Sequence, residues 1–210
     1  MEGVEACNLF MMCTALRRQA LSEIPEGYHV RTCRRDELEL WYAFPYDQGA
    51  QEHRAAMARY FDAVYRPHGD AFWRSCLFVC DAQDVPVGTC FAWKAYGRVT
   101  TIHWFKVRRD CEGHGLGRGL LSHVMRSLNE GDFPVFLHTQ PGSFRAIKLY
   151  TDMGFALLTD PEIGYRKNEL EAGLPFLQAH MPPEAYARLR FDRAPEAFLQ
   201  AVRSARTDEF

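Results

Sequence analysis

Between Val107 and Leu121 the chain reads Val107-Arg-Arg-Asp-Cys-Glu-Gly-His-Gly-Leu-Gly-Arg-Gly-Leu-Leu121, with glycine on alternate residues at 113, 115, 117 and 119. A strand-like run, Val99 to Val107, enters this stretch, and a run with helical spacing, Leu116 to Leu128, leaves it. Glycine lets the backbone turn tightly and lets a bulky ligand approach the main chain. The first turn of a helix offers unpaired N–H groups and the positive end of the helix dipole. Together they predict an anion cradle suited to a pyrophosphate.

Spacing narrows the choice of ligand. A P-loop needs Gly-x-x-x-x-Gly-Lys-Ser/Thr, and no such string occurs. The dinucleotide pattern Gly-x-Gly-x-x-Gly also fails, because Arg118 and Leu120 stand where its third glycine belongs. The following strand-like run, Phe133 to Gln140, has no terminal acid to hold a ribose. What remains, Glu112-Gly113-His114-Gly115-Leu116-Gly117, resembles motif A of the GNAT superfamily of acyl-CoA N-acyltransferases, Gln/Arg-x-x-Gly-x-Gly/Ala. Further on, Ala146, Leu149, Tyr150, Gly154 and Phe155 resemble that family's motif B, a strand followed by Asn-x-x-Ala-x-x-Leu-Tyr and then Gly-Phe. Two motifs in order and register extend the resemblance over about residues 28 to 168.

The resemblance implies an α/β fold. Its central sheet is mixed and mostly antiparallel, with one parallel, splayed strand pair flanked by helices. Local patterns agree with this. Tyr28 to Cys33 suits a first strand, Asp36 a cap for a helix over Glu37 to Ala43, and Gln51 to Tyr65 a second helix. Cys76 to Asp81 and Pro86 to Lys94 read as a hairpin around Gln83-Asp84. The helix beginning at Leu116 should end at Gly131, and the strand Val135 to Thr139 should run parallel to Val99–Val107 because a helix crosses over between them. A second helix from Ser143 ends on Gly154. Phe155 to Asp160 and Gly164 to Asn168 are expected to pair as closing strands. Residues 1–24 then form an N-terminal extension, 25–168 the acyltransferase domain, and 169–210 a helical C-terminal extension packed on it.

A net charge of −2 with no long basic block argues against a dedicated nucleic-acid surface. The apolar run Asn8 to Leu16 follows Glu2 and Glu5, which do not make a basic leader, and it falls short of the roughly 20 apolar residues of a membrane span. The seven cysteines show no CxxC and no His/Cys cluster, so reduced thiols, a cytoplasmic location and no metal are expected. Oligomeric state stays open, a homodimer included.

The resemblance places the main chain of Phe105, Lys106 and Val107 against pantetheine, and Gly113, His114, Gly115, Leu116, Gly117 and Arg118 around the pyrophosphate. Two positions depart from the family. Glu112 replaces Gln/Arg and brings a carboxylate toward a phosphate, which Arg109, His114 or Arg118 would have to offset. Ser143 replaces Asn, still able to cap the helix and to line the cofactor site. Tyr150 holds the place of the family's general acid, against the alternative of a packed ring. His138 is the candidate base at a place where several members carry glutamate, and His103 is its rival. The aromatic side chains from Trp41 to Trp73 line either an acceptor pocket or the core. The expectation is an N-acetyltransferase that moves an acetyl group from acetyl-CoA to a primary amine by direct attack in a ternary complex. Cys111 has no evident base partner, which disfavours a covalent enzyme intermediate. The alternative is a non-catalytic acyl-CoA binding or interaction module. Acceptor and acyl-chain preference are not legible.

Overall fold

Leu9–Cys13 is apolar at all five positions, and all five are buried, so this segment needs cover on both faces. The computed structural model describes residues 3–210 and shows how that cover is supplied. In chain order the elements are β1 (Leu9–Cys13), β2 (His29–Thr32), α1 (Leu38–Ala43), α2 (Ala50–Val64), α3 (Ala71–Ser75), β3 (Leu77–Cys80), β4 (Pro86–Ala95) and β5 (Val99–Val107). Then come α4 (Leu116–Arg126), β6 (Val135–Thr139), α5 (Phe144–Met153), β7 (Ala156–Leu158), β8 (Glu162–Ile163) and β9 (Arg166–Lys167). The chain closes with α6 (Leu170–His180), α7 (Pro183–Tyr186), β10 (Phe191–Asp192) and α8 (Glu196–Arg203).

Eight strands form one sheet in the order β10-β7-β1-β6-β5-β4-β3-β2. The mixed, mostly antiparallel sheet expected from the sequence is present, with two parallel pairs, β5–β6 and β10–β7. The N-terminal segment corrects the picture of an extension. β1 lies inside the sheet, antiparallel to β6 on one side and to β7 on the other. Its alternating side chains point into two cores. Phe10 and Met12 join the aromatic cluster under α1, α2 and α8, whereas Leu9 and Met11 join the aliphatic cluster under α4, α5 and α6. The link from β1 to β2 then runs along α4, where the Ser22 N–H donates to Ser122 Oγ at 3.0 Å and Arg126 pairs with Glu23 at 2.8 Å.

The closing strands are corrected too. β7 pairs with β1 and with β10, while β9 pairs only with β8 in a separate two-stranded ribbon. The segment from residue 169 onward is therefore not purely helical, since β10 forms the sheet's edge. α4 ends at Arg126 with Ser127 as its cap, before Gly131, which falls in a later 3-10 turn. Gly154 does close α5 in the left-handed region, at φ 111°. The turn that leads into α1 is a 3-10 segment over Arg35–Glu37 that carries Arg34 as its cap in place of Asp36.

Two irregularities open the middle of the sheet. The parallel register of β5 and β6 holds only at Thr100–Val135 and Thr101–Phe136, after which the strands part. On the other side of β5 the register against β4 shifts between Thr89 and Phe91, opposite His103 to Lys106. Trp104 sits in that bulge at φ 52°, a conformation rare for a bulky residue.

Candidate active site

The parted strands lead into a cleft of about 960 Å³ between the end of β5, the glycine loop, the start of α5 and the α6–α7 turn. Phe105, Lys106, Val107, Gly113, Gly115, Gly117, Arg118 and Ser143, all expected at the cofactor, line it. Two of the expected residues do not. Leu116 turns inward and is buried under the sheet, and His114 is exposed, its Nδ1 3.3 Å from the Cys111 carbonyl. Ser143 occupies the cap position of α5 but makes no side-chain capping bond.

The four glycines have different jobs. Gly113 and Gly115 sit at φ 84° and 80°, where a side chain is strained, and Gly115 is the cap of α4. Gly117 has ordinary helical geometry and floors the cleft: a Cβ there would stand 3.3 Å from Phe105 Cζ. Gly119 faces away, and a Cβ on it would meet the Glu23 carbonyl oxygen at 2.8 Å.

Charge in the cleft is arranged differently from the expected pattern. Glu112 is offset by Arg145, from the first turn of α5, at 3.1 Å, and not by Arg109, His114 or Arg118. Arg118 is held by Asp152 at 2.5 Å and donates to the Ala20 carbonyl at 3.0 Å. Lys148 reaches the same carboxylate at 3.0 Å. Burial would raise the Asp152 pKa, but the hydrogen bonds from Arg118 and Lys148 outweigh it and hold it below the usual value. Lys106 pairs with Asp47 at 2.8 Å. Sequence reasoning missed Arg145, Lys148, His180 and Pro182. His180 stacks on Phe176 at 3.9 Å and lies 5.7 Å from Phe144, giving the cleft an aromatic flank.

Tyr150 is buried behind the cleft wall, its ring 5.8 Å from Phe105 and 5.6 Å from Phe155. Burial pushes its phenol well above the usual pKa, so it stays protonated. His138 projects from the opposite face of the parted end of β6, stacked on Phe10 at 4.9 Å. Solvent reaches this residue, yet the surrounding protein, and then the Arg166 charge, push its pKa down to about 4 against the pull of Asp208. His103 is buried, with Nδ1 2.6 Å from the Tyr65 hydroxyl, and that hydroxyl accepts from Trp104 Nε1 at 2.9 Å. Desolvation drives its pKa to about 3, opposed by a hydrogen bond with the Glu209 main chain.

The aromatic side chains before the glycine loop mostly pack. Trp41, Tyr65 and Phe72 are fully buried in one cluster, with Trp41 edge-to-face against the other two rings. Phe44 and Tyr46 instead line a second, smaller hollow of about 550 Å³ with Leu40, Asp47 and Arg109. The Cys111 thiol bonds to Asp110 at 3.6 Å, and burial followed by that carboxylate raises its pKa, the reverse of an activated nucleophile. Seven free thiols are present among the described residues. Among those residues too, His29, Cys80 and Asp84 converge as one group of metal-ligating types, but Asp84 is already held by Arg31 at 2.7 Å and Arg34 at 2.5 Å. No helix among them is long and apolar enough to cross a membrane.

The sequence matches the family model described as acetyltransferase (GNAT) family over residues 34–155. No curated protein sequence matches it. A GCN5-related N-acetyltransferase from Sphaerobacter thermophilus is similar at 21% identity and TM-score 0.43, over 63% of this chain and 42% of that one. A tandem GNAT protein from the clavulanic acid biosynthesis pathway is similar at 16% identity and TM-score 0.52, over 70% and 49%. A functionally unknown conserved protein from Staphylococcus epidermidis gives 15% identity and TM-score 0.50, over 71% and 57%. The last two likenesses carry the fold. The chain spans less than two thirds of the length of each of these structures.

Proposed function

We propose that this chain, which belongs to the GNAT family of acetyltransferases, moves an acetyl group from acetyl-CoA to a primary amine within a ternary complex. The observation that carries this reading is the cleft where parted strands meet a glycine loop at a helix start. Its parts suit the chemistry of CoA. The N–H groups of the first turn of α4 face a pyrophosphate site, and Gly117 keeps the main chain bare there. Arg145, Lys148 and Arg118 supply cations for phosphate, each now resting on a carboxylate that a phosphate can displace. The rings of Phe144 and His180, 5.7 Å apart and tilted by 39°, offer an aromatic flank for a purine. The unpaired edge of β5 beyond Thr101 can bond the amides of a pantetheine arm, as an added strand would.

When bound, acetyl-CoA supplies the acyl thioester. This chain has to orient the amine, accept a proton from it and give one to the departing sulfur. Tyr150, protonated and packed on Phe105 of the cleft wall, is the proton donor in this reading, a role typically worth ~10²–10⁴ in rate. The test is release of free CoA from acetyl-CoA with a panel of amines, alongside a calorimetric titration with CoA. Tight CoA binding without release for any amine would favour a binding module. No CoA binding would refute both.

A further inference from the structure

His138, the candidate base, is held by two residues that lie outside the family-matched stretch. Asn8, immediately before β1, places Oδ1 2.9 Å from His138 Nε2. Glu169, at the start of α6, accepts from the Asn8 backbone N–H at 2.9 Å and from Asn8 Nδ2 at 3.4 Å. The Glu169 N–H returns a bond to the Asn8 carbonyl at 2.9 Å, so the two main chains clamp each other.

This chain of contacts determines where the imidazole proton sits. An ionised carboxylate can only accept, so the amide nitrogen of Asn8 must face Glu169. Its oxygen must then face His138, and an amide oxygen also can only accept. His138 therefore donates from Nε2, and in the neutral ring Nδ1 is left with its lone pair free. Among the described residues Nδ1 has no hydrogen-bond partner. The charged groups around the ring are Arg166 on β9, Asp208 near the C-terminal end, and Glu169 through Asn8. Arg166 and Asp208 pair with each other at 2.5 Å, and the Tyr165 hydroxyl also donates to Asp208.

We propose that Asn8 and Glu169 are positioning residues that lock His138 in its Nε2–H form and present Nδ1 as the proton acceptor for the incoming amine, directly or through one water. The inference rests on the acetyl-transfer reading above. In the step it serves, the ammonium proton of the acceptor passes to Nδ1 and on to solvent. The freed nitrogen pair forms the C–N bond, and the C–S pair leaves with sulfur. The nitrogen's second proton replaces the one that the phenol gives to the thiolate, so one proton is released per turnover.

Two readouts test it. Nitrogen NMR of the histidines in the full chain should show His138 protonated at Nε2 and bare at Nδ1, and Asn8→Ala should turn this into a tautomer mixture. The second readout uses the exchange variant Asn8→Asp with Glu169→Gln. It keeps net charge and leaves His138 Nε2 the donor, but reverses the side-chain bond between positions 8 and 169 and moves the carboxylate against the imidazole. The His138 titration should rise by about one unit or more, toward or into the ordinary histidine range. The acid limb of kcat/KM should rise with it for amines of different basicity, while the KM for acetyl-CoA stays put. Asn8→Ala should lower kcat/KM by about tenfold. A wild-type signal for Nδ1–H would overturn the proposal. So would an exchange variant whose His138 titration moves without the kinetic limb. If the wild type turns over no amine, acetyl transfer falls and with it the base role, while the nitrogen pattern still decides whether the lock exists.

Discussion

Gly117→Ala separates the cradle from the core. Gly117 lies in the first turn of α4 at an ordinary helical angle, so alanine there carries no backbone strain. Helix preference alone favours the variant by roughly 0.5–1 kcal/mol. The added Cβ would contact Phe105 Cζ at 3.3 Å, Leu149 Cδ1 at 3.6 Å and Val107 Cγ2 at 3.7 Å, all side-chain atoms. Only a small movement of the Phe105 ring is needed, so the ligand-free protein should melt within a few degrees of wild type or slightly above. The same methyl takes space from a ligand that has to touch bare main chain. CoA at a hundred times its Kd should stabilise the wild type by ~2.7 kcal/mol, roughly 5–10 °C for a chain of this size. A tenfold loss of affinity at the same concentration leaves about 1.4 kcal/mol, half the thermal shift. Thermal melts with and without CoA, backed by calorimetry, read both quantities. Gly119→Ala is the control, because its Cβ would strike the Glu23 carbonyl at 2.8 Å and the Ile24 Cα at 3.2 Å. It should cost about 1–3 kcal/mol of stability and leave the Kd of the folded protein unchanged. A Gly117→Ala variant with wild-type CoA affinity would refute the placement of the cradle.

Three further outcomes follow from named contacts. Tyr150→Phe keeps the packing on Phe105 and Phe155 and removes only the hydroxyl. Saturating turnover should fall ~10-fold or more with little change in CoA affinity, and unaltered turnover would leave Tyr150 as a packing residue. Gly154→Ala puts a Cβ at φ 111° and 2.6 Å from the Ala15 carbonyl, which should cost about 2–4 kcal/mol and lower Tm by roughly 5–15 °C. A melt within two degrees or so of wild type would contradict the clash. Buried His103, with its pKa near 3, must stay neutral in the folded state, so the unfolded chain takes up that proton first. Its contribution is complete above about 6.5 and is lost as pH falls toward 3. Denaturant midpoints should therefore decline over that window, less steeply in His103→Gln, and equal slopes would exclude the effect.

Much of the local structure was legible. β5 and β6 fall on the residues expected, because strand alternation and flanking turns bound them. The glycine loop and the Gly154 cap were legible because left-handed backbone leaves a residue-level mark. The residues expected at the cofactor line the cleft apart from Leu116 and His114, whereas Arg145, Lys148, His180 and Pro182 were not legible. The core side chains of α4 recur at helical spacing and face the sheet, and Leu116 is the first of them. The positions that failed depend on partners far along the chain. Arg145 answers Glu112 from another helix, and nothing in either neighbourhood announces the pairing.

By itself the sequence determined what short-range physics can encode: periods of two and 3.6, helix ends, tight turns and a family signature carried on two adjacent motifs. Only tertiary structure decided that β1 would be a central strand. An apolar run without alternation is what burial on both faces demands, but it leaves no clue to which strands flank it. Pairing across more than a hundred residues is selected by the two cores that close over Phe10 and Leu9. The same long-range pairing brings Asn8 and Glu169, 161 residues apart, to one imidazole. A side chain's type can be read along the chain. Its protonation and its role depend on neighbours that folding alone brings within about 3 Å.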